Sequence, residues 1–138
     1  MNHKSKYGGI NMMNEINTKK KMVEYITNTK THEKCNILIS AVNYATEFSE
    51  KMSDDYGIDN FRLIFAKIKK YLVDSEKYQD YEYEYFELAE FVFNAIECQI
   101  FEYAENDTQR KELQLKNFKA VKEIIDFKKY FQYLSGEN

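Results

Sequence analysis

The chain contains no proline and only four glycines in 138 residues. These two residues punctuate turns, because proline fixes φ near −65° and glycine reaches positive φ at no steric cost. A chain so poor in both cannot supply the many tight turns of an all-β sandwich, and collagen-like, proline-rich and loop-dominated architectures are excluded. Helices joined by short links remain. An apolar fraction of 43%, with 16% aromatic residues, supplies a core for one domain despite 31% charged residues.

The apolar spacing agrees. Residues 1–13, with Gly8-Gly9, scattered asparagine and no apolar period, read as a disordered tail in which Met12 and Met13 offer alternative starts. Residues 14–138 read as a single all-α domain. Ile16, Met22, Val23 and Ile26 mark a short first helix that ends in Thr27-Asn28-Thr29. Thr31 is placed to N-cap a second helix reaching about Ser53, with Leu38, Ile39, Val42, Ala45, Phe48 and Met52 on its inner face. Gly57 is expected as its C′ stop, with Ile58 making the accompanying apolar contact, and Asp59 as the cap of a third helix. In that helix Phe61, Ile64, Phe65, Ile68 and Leu72 face inward. A fourth helix runs from about Ser75 or Asp80 to Ala104. A fifth starts near Asp107-Thr108 and carries Leu113, Phe118, Val121, Ile124, Ile125, Phe131 and Leu134 to Gly136. Tyr81-Glu82-Tyr83-Glu84-Tyr85 alternates as a half-buried strand does. No second alternating run exists to pair with it, and beyond it Tyr85, Leu88, Val92, Ile96 and Tyr103 share one helical face, so helix is expected throughout. The expected fold is a compact all-α bundle of four to five helices, with two long C-terminal helices as an antiparallel spine.

Catalytic patterns are missing. A structural zinc site needs four ligands, usually in short paired spacings. The chain holds His3, His32, Cys35 and Cys98, with no CxxC or HxxxH, so the thiols read as free core cysteines. A di-iron carboxylate bundle needs Glu-x-x-His on two helices, and neither histidine follows a glutamate by three. No nucleophile elbow, phosphate-binding loop or dinucleotide fingerprint occurs. The Arg-x4-His spacing of some helical ribonucleases is also absent. The Asp54–Asp59 stretch fails as an EF-hand, because Met52 occupies its first ligand position. No apolar run spans a membrane and no secretory segment precedes the cysteines, so a cytoplasmic protein without metal, cofactor or enzymatic activity is expected.

Charge carries the remaining information. The formal net charge is −3, which argues against a global field for nucleic acid or membrane. Arg62 and Arg110 are the only arginines among 20 basic residues, a bias of AT-rich coding that points to an AT-rich bacterium, or a phage or mobile element living in one. From Asp74 to Asp107 there are eleven acids and one base, Lys77; from Thr108 to Lys129 there are seven bases and three acids. On a helical wheel Leu88, Ala89, Val92, Ile96, Ile100 and Tyr103 form one arc of the fourth helix. The opposite arc holds Asp80, Glu84, Glu87, Glu90, Asn94, Glu97 and Glu105, with Tyr83, Phe91, Cys98 and Phe101 set among them.

Aromatic anchors with a polar rim are the composition of interface centres. The same residues would also suit a helix contacted on two sides, with Phe91 and Phe101 in the core. The candidate partner-binding residues are therefore Tyr83, Glu84, Glu87, Glu90, Phe91, Asn94, Glu97 and Phe101. They suggest a small protein-binding regulator or inhibitor, of the anti-defence type for instance, acting on a basic or nucleic-acid-binding protein. The alternatives are a structural homodimer and a nucleic-acid binder using Lys19–Lys21, Lys67, Lys69, Lys70, Lys116, Lys119, Lys122, Lys128 and Lys129. Scarcity of arginine argues against a sequence reader.

Overall fold

The computed structural model describes residues 18–47 and 55–136. Six helices run through them: α1 (18–29), α2 (His32–Glu47), α3 (Ile58–Asp74), α4 (Tyr78–Tyr103), α5 (Asp107–Ile124) and α6 (Phe127–Ser135). No strand occurs among the described residues, and the architecture is an all-α bundle, including the alternating stretch from Tyr81 to Tyr85. The tail at 1–13, together with Ile16, Phe48, Met52 and the expected end of the second helix at Ser53, lies outside the described residues.

Local chemistry sets the helix ends. Thr31 caps α2 as expected, its Oγ1 accepting from the Lys34 N–H at 3.4 Å and its carbonyl from the Cys35 N–H at 2.8 Å. The start of α3 differs from expectation. Gly57, at φ 90°, directly precedes α3, and the side-chain cap comes from Asp55, not Asp59; the expected stop of the second helix lies outside the described residues. Buried Asp55 accepts from the N–H groups of Ile58 and Asp59, each at 3.1 Å, and its carboxylate also meets Lys116 Nζ of α5 at 2.7 Å. Tyr56 shares the left-handed turn at φ 60°. Its hydroxyl donates to the Tyr103 carbonyl at 2.9 Å, which fixes the turn against the end of α4.

The expected fifth helix is two helices. Ile125 leaves helical geometry with φ −104° and ψ 125°, and Asp126 caps a new helix by accepting from the Lys129 N–H at 3.1 Å. The break keeps Ile125 in the core at 2% exposure and turns α6 back so that Tyr130 is buried as well. A straight continuation would carry Tyr130 and Tyr133 off the end of the bundle. Gly136, at φ 80°, then ends α6, as expected of a C-terminal glycine.

These ends place α4 at the centre. On one side the Tyr85 hydroxyl donates to the Phe65 carbonyl of α3 at 3.0 Å. On another, Asn117 of α5 is fully buried and its Nδ2 donates to the Phe93 carbonyl at 3.3 Å and to Glu97 Oε2 at 2.8 Å. Contacts between α4 and the C-terminal helices run in opposite senses along the chain, from Phe101 with Arg110, through Glu97 with Asn117, to Glu90 with Tyr130. The antiparallel spine expected from the sequence is therefore built from α4 against α5, with α6 folded over the N-terminal half of α4.

Candidate interaction face of helix α4

An isolated buried carboxylate costs several kcal/mol unless it is paired and hydrogen-bonded. This requirement divides the candidate residues of α4 into two groups. Tyr83, Glu84, Glu87 and Phe91 lie in the half wrapped by α1, α2 and α6. Glu84 is buried, with its Oε2 2.8 Å from Lys34 Nζ. Glu87 pairs with Lys30, whose side chain is 9% exposed, and accepts from the Tyr83 hydroxyl at 3.2 Å. The Phe91 ring stacks on Tyr25 with centroids 4.5 Å apart, and Tyr83 packs against Tyr130 and Tyr133. The open face expected from the wheel is thus closed here. Lys30 and Lys34 flank the joint between α1 and α2, so both ammonium groups reach the acids of α4 once α1 packs against Phe91.

The same half contains two features the sequence did not single out. Glu82 is buried, 2.6 Å from Lys129 Nζ and 2.8 Å from the Tyr133 hydroxyl. Burial raises its carboxyl pKa, but hydrogen bonds from Lys129, Tyr133 and Tyr78 outweigh that effect and hold it below the ordinary value. Around these acids stands a layer of tyrosines shifted the other way. Burial, then the charges of Glu87, Tyr83 and Glu90, pushes Tyr25 up to about 12. Tyr78 and Tyr130 rise further, through burial first and then Glu82 and Glu90 respectively, and Tyr85 rises through burial alone. Nothing one-dimensional marks these partners. A wheel gives the angle of Glu82 on α4, whereas Lys129 and Tyr133 reach it only because the chain breaks at Ile125.

The other half of α4 is open. Glu90 is exposed and accepts from the Tyr130 hydroxyl at 2.6 Å, and Glu97 is half-buried on Asn117. Asn94 and Phe101 are exposed, Phe101 by 70% of its surface. Cys98, Glu102 and Glu105 are exposed beside them; the first was expected in the core, but it sits on the arc between α1 and α5 that no described helix covers. Glu90, Asn94, Cys98 and Phe101 follow one another at three or four residues, so they form one strip about 16 Å long, and Glu105 lies just beyond it, where Ala104 has left helical geometry. Arg110 lies over the Phe101 ring, 5.6 Å from its centroid, and pairs with Asp107. Geometrically the strip offers an aromatic side chain with carboxylates and one amide around it, all within reach of a partner.

Cys35 is half-buried, its thiol 3.4 Å from the Ile26 carbonyl, and His32 is exposed at the first position of α2. Among the described residues no three histidine, cysteine or acidic side chains converge as metal ligands would. No helix among them is long and apolar enough to cross a membrane. Comparison with protein-family models, with curated proteins and with solved structures finds no match to this chain.

Proposed function

We propose that this chain is a non-enzymatic, protein-binding regulator or inhibitor that engages a basic partner through the open strip of α4. The observation that carries the reading is Phe101, the most exposed of the large apolar side chains described, on the α4 face that also exposes Glu90 and Asn94, with exposed Glu102 and Glu105 next to it in the chain. Burying such a ring against a partner removes apolar surface from water, and the surrounding carboxylates select a cationic rim and speed encounter. The acids at Glu84 and Glu87 act differently: they fasten α1 and α2 to α4 and leave the strip to set the binding surface.

The test uses the tagged full-length chain on nuclease-treated lysate of an AT-rich bacterium, with Phe101→Ala and Glu102→Lys as matched baits. A basic protein held by the wild-type chain, lost from both variants and released at high salt, is the expected result. Capture that survives both substitutions, or recovery of the bait alone as a self-associated species, would overturn the reading. Glu87→Lys is a poor probe, since it places two ammonium groups together in a nearly closed site.

A further inference from the structure

Away from that strip, the break between α5 and α6 leaves a groove that Tyr78, Glu82 and Phe86 of α4 and Lys69 of α3 also line. Phe86 and the buried Ile125 form its apolar floor. Its charges are unequal in their freedom. Glu82 is held by Lys129 and Tyr133, Glu123 lies 3.2 Å from Arg62, and Asp126 spends an oxygen on capping α6. Lys69 on α3 and Lys122 on α5 line the groove too, and neither has a carboxylate partner among the described residues. Each ammonium instead rests over a ring: Lys69 is 5.1 Å from the centroid of Tyr78, and Lys122 is 5.3 Å from that of Phe118. A ring holds an ammonium in place without neutralising it. Two cations on different helices thus line one groove in which Lys129 and Arg62 offset Glu82 and Glu123, leaving Asp126 as the one carboxylate there without a cationic partner among the described residues, and together they offer an oxyanion two separated positive charges.

We infer that this groove binds a small phosphorylated ligand, its adjacent phosphate groups bridging Lys69 and Lys122. Inorganic pyrophosphate is the probe, titrated into the full chain by calorimetry at low salt. Saturable one-to-one binding is expected, weakened at least tenfold by Lys69→Gln or Lys122→Gln, retained in Lys122→Arg, and unchanged by Lys111→Gln, an exposed lysine of α5 outside the groove. All three lysines are exposed, so unchanged melting temperatures will confirm that the variants fold. Absence of saturable binding, or equal weakening by Lys111→Gln, would overturn the inference. So would a single-stranded oligonucleotide that binds without being displaced by pyrophosphate, because the lysines would then be serving a polymer backbone.

Discussion

Phe91→Ala and Phe101→Ala lie ten residues apart on one helix and should behave oppositely in the isolated protein. Complete burial makes a phenylalanine-to-alanine truncation cost about 3–5 kcal/mol. Phe91 is half-buried, which scales that cost to about 2 kcal/mol, and losing the stack on Tyr25 adds about 0.5–1.5 kcal/mol. The sum, about 3 kcal/mol, corresponds to a melting-temperature drop on the order of 10 °C for a domain of this size. Phe101 is 70% exposed, so its truncation should cost under about 0.5 kcal/mol. Urea unfolding monitored by circular dichroism, with the double substitution Tyr25→Ala/Phe91→Ala added, separates the terms. The two single changes at 25 and 91 should be non-additive by about 1 kcal/mol, the coupling of the stacked pair. A cost below about 0.5 kcal/mol at Phe91 would mean that α1 does not close that half of α4. A cost above about 2 kcal/mol at Phe101 would place its ring in the core and remove the strip.

Three further outcomes follow from the polar groups. In an alkaline titration read by tyrosinate absorbance, Tyr25, Tyr78, Tyr85 and Tyr130 should stay protonated beyond pH 11 in the folded chain while the urea-unfolded chain titrates near pH 10. Because their folded pKa values are raised, the stability they contribute is complete below about pH 10 and is lost as the pH climbs through the folded values, giving alkaline unfolding. Glu82 has the opposite sign. Its lowered pKa contributes stability above about pH 4.3 that disappears as the pH falls through the folded value, so the stability gap between wild type and Glu82→Gln should narrow in acid; a constant gap would refute its pairing with Lys129 and Tyr133. Asp55→Ala removes the cap of α3 and a link to Lys116, and should cost about 2 kcal/mol in chemical denaturation; Lys116→Ala keeps the cap but leaves the buried Asp55 carboxylate without its ammonium, and should cost at least as much, whereas a neutral outcome there would refute the pairing.

Periodicity made the helices legible and their ends only partly so. Thr31 and Gly136 could be recognised because each acts through its own backbone neighbourhood. Asp55 was obscured by Gly57, whose positive φ suits a helix stop and a helix approach equally well. The break at Ile125-Asp126 was hidden for a related reason: both flanking segments have helical apolar spacing, and only packing of Tyr130 and Tyr133 on α4 favours ending one helix to start another. On the candidate face, the wheel located Asn94, Glu97 and Phe101 at their true angles. It could not show that Glu84, Glu87 and Phe91, at similar angles further up the helix, meet Lys34, Lys30 and Tyr25, since those partners arrive from α1 and α2. Charge segregation along the chain had two uses at once. The acids of α4 pair with lysines where α1, α2 and α6 cover them, whereas Glu90 and Glu97 accept hydrogen bonds from the uncharged Tyr130 and Asn117 and keep their charge uncompensated.

The most direct test of that division uses the native thiols. Cys98 lies within the open strip and Cys35 is half-buried near the α1–α2 joint. Labelling with a bulky maleimide under native conditions should modify Cys98 at close to the rate of a free thiol and Cys35 at least tenfold more slowly. The singly labelled protein should keep its melting temperature within about 2 °C while losing the capture that depends on Phe101 and Glu102. Slow labelling of Cys98, a large drop in melting temperature on its modification, or capture that persists after labelling would contradict an open binding strip on α4.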